Sequence, residues 1–243
     1  MMLIPFMTAG FPTIEGFWKN LKELDENGAD IIEIGVPFSD PVADGPVIEA
    51  ASLKALENGV TLELILEGLR QRKGQFKAKL VLMGYLNPFL QYGFERLAKE
   101  SKEIGLYGFI IPDLPLDEDA PYRKMLSACG IHLIALVAPN TSLERMKAYA
   151  EVATGYVYVI SVLGITGVRS EFPPDLSNTL RRARQAFRIP LALGFGFSSP
   201  EQLDAIPVGD RPDAIIFGSA LVRHVEAGRP VAEFMHRWTG VRG

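Results

Sequence analysis

Cysteine is almost absent from this chain of 243 residues, in which Cys129 is the only one. A single thiol excludes a disulfide within the chain and a metal site built from several thiolates. The small neighbours Ala128 and Gly130 place Cys129 at a predicted helix end that packs on the core. We therefore expect neither disulfide stapling nor a metal centre.

The chain also lacks a large excess of charge of either sign. Its net charge is -4, although 22% of its residues are charged. The only dense basic segment is Arg181-Arg182-Ala183-Arg184, which we interpret as a solvated helix face rather than an anion-binding patch. Nothing in this pattern favours nucleic acid as a partner. Residues 1–6 contain no basic leader or cleavage site, and glycines interrupt the apolar stretch 152–168. We expect a cytoplasmic protein without a membrane segment.

Short apolar runs recur along the chain, and each run ends in turn residues and precedes a helical pattern. The eight runs are Leu3–Met7, Ile31–Ile34, Leu80–Met83, Phe109–Ile111, Leu133–Val137, Val157–Ile160, Leu191–Leu193 and Ala214–Phe217. The amphipathic segments between them include Phe17–Glu26, Thr61–Gln71, Phe94–Glu103 and Leu143–Glu151. Strand–helix alternation of this kind requires right-handed crossovers and a parallel sheet.

Eight such repeats favour a closed (β/α)₈ barrel, the TIM barrel, over an open doubly wound sheet. No linker or shift in composition marks a boundary, so residues 1–243 are predicted to form one barrel domain. In such barrels the chemistry belongs at the carboxyl ends of the strands.

Two carboxylates at one of those strand ends are the first candidates for catalysis. Glu33 closes the apolar run of the second strand, where an unpaired charge costs several kcal/mol, so an acid there is expected to have a function. Asp44 follows in a loop rich in Pro, Gly, Ser and Asp. One acid on a rigid strand and one on a movable loop favour acid–base work on a small molecule.

Glycine loops after the last two strands indicate a phosphate site. Gly194-Phe195-Gly196 follows the seventh strand, and Gly218-Ser219 follows the eighth. Barrels often bind phosphate there through loop amides and a helix N-terminus. Ser198-Ser199-Pro200-Glu201 and Ser219 are suitable helix starts whose amides could point at the anion. No Walker-type lysine follows, which argues against a nucleoside triphosphate.

Four segments together resemble one family, the α subunit of tryptophan synthase. They are the stretch from Glu33 to Pro46, Leu82–Pro88, Gly164-Ile165-Thr166-Gly167, and the two glycine loops. The resemblance implies cleavage of indole-3-glycerol phosphate to indole and glyceraldehyde 3-phosphate without a cofactor in this chain. It also implies a β subunit as partner in an α2β2 assembly, with pyridoxal phosphate bound only by that β subunit.

The same resemblance implies roles for individual residues. Glu33 resembles the catalytic acid–base, Asp44 its partner at the indole nitrogen, and Tyr158 the tyrosine beside the glutamate. Thr166 resembles the loop residue that meets the aspartate on closure. Gly167, Gly196, Gly218 and Ser219 fall at the family's phosphate site, and Phe6, Met83, Ile110, Leu136, Phe195 and Ile216 fall at its indole slot.

Structural alternatives exist for each of these residues. Glu33 could pair with an Arg or Lys, Asp44 could cap the following helix, and Tyr158 could be a core aromatic. Asp113 could cap a loop or support the site. The slot residues would be apolar in any barrel.

The chain also departs from the family. It begins almost at the first strand, so most of the family's extra N-terminal helix is expected to be lacking, and Val162-Leu163 stand where the family more often has a small or polar residue.

Three functions are compatible with these residues. The first is the lyase subunit that works with a β subunit. The second is a stand-alone indole-3-glycerol phosphate lyase without such a partner. The third is a catalytically silent phosphate-binding member that regulates a partner, against which the joint presence of Glu33, Asp44 and Tyr158 argues.

Overall fold

The computed structural model describes residues 1–161, 175–194 and 196–242, and its first element is a strand. The strands are β1 (Met2–Thr8), β2 (Ile31–Gly35), β3 (Lys79–Met83), β4 (Gly108–Ile110), β5 (His132–Leu133), β6 (Ala135–Val137), β7 (Val157–Ile160), β8 (Leu191–Gly194) and β9 (Ala214–Phe217). Their positions confirm the eight apolar runs as strands. The fifth run is divided into β5 and β6 at Ile134.

Helices connect the strands throughout the described ranges. They are α1 (Ile14–Glu26), α2 (Pro46–Glu57), α3 (Leu62–Gln71), α4 (Leu86–Tyr92), α5 (Phe94–Ile104), α6 (Ala120–Ala128), α7 (Leu143–Ala150), α8 (Leu176–Ala186), α9 (Ser219–Glu226) and α10 (Val231–His236). Short 3₁₀ helices span Pro200–Ala205, Val208–Asp210 and Thr239–Arg242. None of the helices in these ranges is both long and apolar enough to cross a bilayer.

The sheet is parallel and closes on itself. Its order is β5-β4-β3-β2-β1-β9-β8-β7-β6. The strands at its two ends, β5 and β6, are consecutive in the chain and are separated only by Ile134. The amide of Ile134 donates to Phe109 O at 2.9 Å. The strand broken at Ile134 therefore closes an eight-stranded barrel, with β5 hydrogen-bonded to β4 and β6 to β7. The predicted (β/α)₈ architecture is confirmed.

Alternating side chains of the strands separate two apolar regions, as strand geometry requires. The inward side chains form a cluster within the barrel that includes Ile4, Val81, Ile110, Tyr156 and Tyr158. The outward side chains, such as Leu3, Ile32 and Leu82, pack beneath the helices. Glu33 occupies an inward position of β2, opposite Phe6 of β1 and Val81 of β3 in the register. The pleat therefore directs an acid into the barrel.

Local signals explain where several helices begin and end. Thr13, Thr61 and Ser142 accept hydrogen bonds from backbone amides three residues further on, which satisfies donors in the first turns of α1, α3 and α7. Cys129 follows the last residue of α6 and packs against the outer core, as predicted.

The basic segment of α8 lies at the surface, as expected, but its guanidinium groups bind protein groups. Arg181 pairs with Asp210 at 2.7 Å, and Arg184 pairs with Asp213 at 2.6 Å. Arg182 donates to the carbonyl oxygens of Pro139 and Thr141 at 2.6 and 2.9 Å. The segment therefore ties α8 to neighbouring loops and is not merely solvated.

Candidate active site

Glu33 is fully buried in the barrel, with 0% of its surface exposed. The hydroxyl of Tyr156, which directly precedes β7 and belongs to the inner cluster, donates to Glu33 Oε1 at 2.7 Å. The second carboxyl oxygen, Oε2, is buried and has no hydrogen-bond partner among the described residues. No ion pair in the described ranges involves Glu33. The alternative of a structural ion pair is therefore not observed.

This environment raises the pKa of Glu33 to about 8. Burial is the larger cause, because it disfavours the charged carboxylate, and the hydrogen bond from Tyr156 partly opposes it by stabilising that form. At neutral pH the carboxyl group carries a proton. A protonated acid with one oxygen held and the other unbonded is suited to deliver that proton to a ligand.

Tyr158 of β7 also lies inside the barrel, two residues after Tyr156. A Cβ atom built on Gly194 would lie 2.3 Å from the Tyr158 hydroxyl, so only glycine leaves room for this ring. Burial raises the pKa of Tyr158 well above its usual value, and the negative charges of Glu33 and Asp44 raise it further. Tyr158 is a core aromatic within electrostatic reach of both acids, but the hydrogen bond to Glu33 comes from Tyr156.

Asp44 lies in the loop between β2 and α2 and is half-buried. The hydroxyl of Tyr85 is hydrogen-bonded to its carboxylate and also accepts the amide of Ala43 at 2.9 Å. Burial raises the pKa of Asp44 to about 6, the Tyr85 hydrogen bond lowers it, and the charge of Glu49 raises it. α2 begins after Gly45, with no side-chain cap, so Asp44 does not cap this helix.

Asp113 contacts the start of α4, next to Tyr85. Its Oδ1 accepts the amide of Leu86, the first residue of α4, at 2.9 Å. It therefore caps α4 from the end of β4 and fixes the backbone next to Tyr85. This contact matches the capping alternative for Asp113.

Four of the five predicted slot residues in the described ranges belong to the inner cluster of the barrel, and the fifth, Phe6, lines a cavity beside Met83. Met83, Ile110, Leu136 and Ile216 belong to the inner cluster together with Tyr158. A small cavity above them is lined by Asp44, Phe6, Met83 and Tyr85, among others. The fold thus brings Asp44 next to two of the slot residues, with Glu33 beneath in the strand layer.

The two glycine loops differ in what their amides do. Gly196 has a φ of +97°, which L side chains rarely adopt. The amides of Ser198 and Ser199 donate to Gln202 Oε1 at 2.7 and 3.0 Å, so the expectation that they point at an anion is wrong in this structure. α9 begins at Ser219 directly after Gly218, and first-turn amides of a helix lack partners within it. Ser219 itself is buried.

Three predicted site residues, Thr166, Gly167 and Phe195, lie outside the described residues. Two residues of the site, Tyr156 and Tyr85, were missed by the sequence analysis. Extending the period of two of β7 by one residue towards the N-terminus could have indicated Tyr156, because a residue two positions before Tyr158 shares its face. Tyr85 follows the end of β3, where a barrel is expected to place functional residues. Among the described residues, no group of three or more His, Cys, Asp or Glu side chains could hold a metal ion.

This chain is similar to proteins described as tryptophan synthase alpha chains. The sequence profile of the family described as tryptophan synthase alpha chain matches residues 1–237. A tryptophan synthase alpha chain of Nitratidesulfovibrio vulgaris (strain DP4) is 62% identical over 236 residues, covering 97% of this chain and 91% of the relative. A second, from Maridesulfovibrio salexigens, is 49% identical and covers 97% and 92% of the two chains.

Solved structures of tryptophan synthase are also similar to this chain. The Mycobacterium tuberculosis tryptophan synthase structure superposes with a TM-score of 0.90 at 33% identity, covering 100% of this chain and 93% of that one. A chain of the Pyrococcus furiosus tryptophan synthase complex superposes with a TM-score of 0.86 at 34% identity, covering 96% and 94%.

The fold and the site define a (β/α)₈ barrel enzyme with a protonated carboxyl group inside the barrel and a second carboxylate at its mouth. The chain belongs to the tryptophan synthase alpha chain family.

Proposed function

We propose that this chain is the lyase subunit of tryptophan synthase and that Glu33 and Asp44 cleave indole-3-glycerol phosphate. The products are indole and glyceraldehyde 3-phosphate. The observation that carries the proposal is the buried Glu33 carboxyl group, held by Tyr156 through one oxygen and unbonded at the other. Membership of the family supplies the substrate.

The cleavage needs two proton transfers, and one carboxyl group can perform both. Glu33 first delivers its proton to C3 of the indole ring, which makes the ring a cationic indolenine. The bond between C3 and the glycerol carbon then breaks, and its electron pair returns to the ring. The hydroxyl on that carbon loses its proton to the Glu33 carboxylate and becomes the aldehyde. A pKa near 8 suits both steps at neutral pH.

Asp44 stabilises the cation formed in the first step. Its pKa of about 6 leaves it largely ionised at neutral pH, when Glu33 is still protonated. A carboxylate next to the ring N–H lowers the energy of the developing positive charge. Its neighbours Phe6 and Met83 in the cavity supply an apolar wall for the indole ring. Two acids with separated pKa values can thus divide the acid–base and electrostatic roles.

The remaining site assignments follow from position. Ile110, Leu136, Ile216 and Tyr158 complete the wall of the slot inside the barrel. Gly196, Gly218 and Ser219 are assigned to the phosphate, which would face the first-turn amides of α9. Thr166, Gly167 and Phe195 keep the roles that the family resemblance implies.

The partner of this chain is a tryptophan synthase β subunit in an α2β2 assembly. The solved relatives include a tryptophan synthase complex, which supports this proposal. The loop that carries Asp44 offers an exposed surface for the partner, since Val42 is 79% exposed. We assign pyridoxal phosphate to the β subunit and no cofactor to this chain. The assembly is proposed to work in the cytoplasm, with residues 1–243 as one barrel domain.

The decisive experiment measures indole release from indole-3-glycerol phosphate by the purified chain, with and without a cognate β subunit. The expected result is slow release by the chain alone and faster release in the complex, because the partner favours the ordered Asp44 loop. A full rate without the β subunit, unchanged by its addition, would indicate a stand-alone lyase. No release in either case, with the chain folded, would indicate a silent member of the family.

A further inference from the structure

Tyr85 contacts the Asp44 loop on both sides of the loop tip. Before the loop tip, the ring of Phe38 packs on the Tyr85 ring with centroids 5.3 Å apart. After the tip, the Tyr85 oxygen accepts the Ala43 amide at 2.9 Å and its hydroxyl is hydrogen-bonded to the Asp44 carboxylate. Residues 39, 40 and 42, at the tip, are exposed.

Tyr85 is itself fixed from the barrel. It is the N-cap residue of α4 and is only 4% exposed. The amide of the next residue, Leu86, is held by Asp113 at the end of β4. The hydrogen bond between Asp113 and the Leu86 amide, the peptide bond between Leu86 and Tyr85, and the hydrogen bond from Ala43 to Tyr85 therefore connect the rim of the barrel to the loop that carries Asp44.

We propose that Tyr85 is a positioning residue for Asp44, because its hydroxyl joins the Asp44 carboxylate and the Ala43 amide in one hydrogen-bonded unit. The same hydroxyl accepts from the backbone and donates to the side chain, so the loop conformation and the ionised state of Asp44 favour each other. Tyr85 need not touch the reacting atoms to do this. The inference rests on the proposed function and identifies what holds its second acid.

The groups around Asp44 determine how its pKa would change if the Tyr85 hydroxyl were removed. Glu49 of α2 opposes the ionised form of Asp44, and Tyr158 of β7 lies within reach of its charge. Asp113 acts on Tyr85. Of these neighbours, Tyr85 is the one whose hydrogen bond lowers the pKa of Asp44. Its removal should therefore raise that pKa.

The test is Tyr85→Phe in the complex with the β subunit, with kcat and KM measured across pH. Phenylalanine keeps the ring against Phe38 and removes only the hydroxyl. We expect kcat to fall about tenfold with KM little changed, because hydrogen bonds to charged groups are worth more than neutral ones. The acid limb of the kcat/KM profile should move up by about one pH unit.

The matched control is Tyr92→Phe. Tyr92 also donates its hydroxyl to a carboxylate, Glu100 Oε2 at 2.8 Å, but on the outer helices. This control should leave both the rate and the pH profile unchanged. A fall in rate for Tyr85→Phe without any shift of the acid limb would overturn the proposal and leave a purely structural role.

A double-substitution cycle gives an independent result. If Tyr85 acts through Asp44, then Tyr85→Phe should cost much less turnover in an Asp44→Asn background than in the wild type. Equal factors in both backgrounds would contradict the proposal. Failure of the proposed function is recognised separately, since the wild-type complex would then release no indole.

Discussion

Two tyrosine–carboxyl pairs occupy this barrel, one in its interior and one at its mouth. In the interior, Tyr156, which directly precedes β7, holds Glu33 on β2. At the mouth, Tyr85 holds Asp44, which lies on a loop with an exposed tip. In both pairs burial raises the carboxyl pKa and the tyrosine hydrogen bond lowers it, but the results are about 8 and about 6.

The difference teaches how one site keeps one acid protonated and the other ionised at the same pH. Burial is the largest cause of the raised pKa in both acids, but Glu33 is enclosed completely and Asp44 is only half-buried, so the rise is larger for Glu33. Position also separates their mobility. A strand inside a barrel cannot move without breaking its ladder, while a loop can close over a ligand. The rigid acid therefore suits proton transfer, and the loop acid suits charge stabilisation on closure.

The largest effect is expected for Glu33→Gln, which tests whether the interior acid transfers the proton. The amide keeps the shape of the side chain but cannot carry a proton, so turnover should fall by about 10²–10⁴-fold while glycerol phosphate still binds. The measurement is indole release by the complex, with Glu67→Gln on the surface of α3 as control. A folded Glu33→Gln protein that keeps more than about a tenth of wild-type turnover would remove Glu33 from the mechanism.

Asp44→Asn tests the other acid. The variant loses the negative charge next to the indole nitrogen, so turnover should fall about a hundredfold, while a substrate analogue binds nearly as well as to wild type. Parallel measurements of kcat and analogue affinity separate the two effects. If affinity fell as steeply as turnover, Asp44 would bind the ground state and not the transition state.

The pH dependence of the unfolding free energy tests the protonation of Glu33 without any substrate. The folded pKa of Glu33, about 8, is above its ordinary value of 4.5, so the folded state holds the proton more tightly than the unfolded state. Its contribution to stability is full below pH 4.5 and is lost as pH rises towards 8. Between pH 6 and 8 the unfolding free energy of wild type should fall about 2 kcal/mol more than that of Glu33→Gln.

Denaturant unfolding at several pH values measures this difference. Other titrating groups are common to both proteins and cancel in the subtraction. Parallel curves for wild type and Glu33→Gln over that interval would mean that Glu33 is ionised inside the barrel, and the assignment of a proton donor would then be wrong.

Tyr156→Phe should have the smallest effect of the four. Without the hydroxyl, Glu33 loses its partner and its pKa rises further, since that hydrogen bond stabilises the ionised form. We expect turnover to fall about tenfold and the basic limb of the pH profile to move to higher pH. The control is Tyr107→Phe, whose ring lies between Lys79 and His132. An equal loss in the control, or an unmoved basic limb, would contradict a specific role for Tyr156.

Patterns along the chain were sufficient to predict the barrel and part of the candidate site. The eight apolar runs became the strands because parallel strands enclosed by helices must be apolar on both faces. Glu33 could be predicted for the same reason, as an acid inside such a run is exceptional. Gly218 and Ser219 stand where a short helix begins, which turn and helix signals also indicated.

Tertiary structure decided what those residues contact. Residue spacing could not indicate that Glu33 is bonded to Tyr156, 123 residues away, because this contact arises only when the barrel closes. Nor could it indicate that Tyr85 holds Asp44, or that Gln202 occupies the amides of Ser198 and Ser199. The sequence by itself therefore determined which acids and glycines the strand ends carry. Only the closed barrel decided their partners and their pKa values, since both depend on burial and on side chains brought from distant strands.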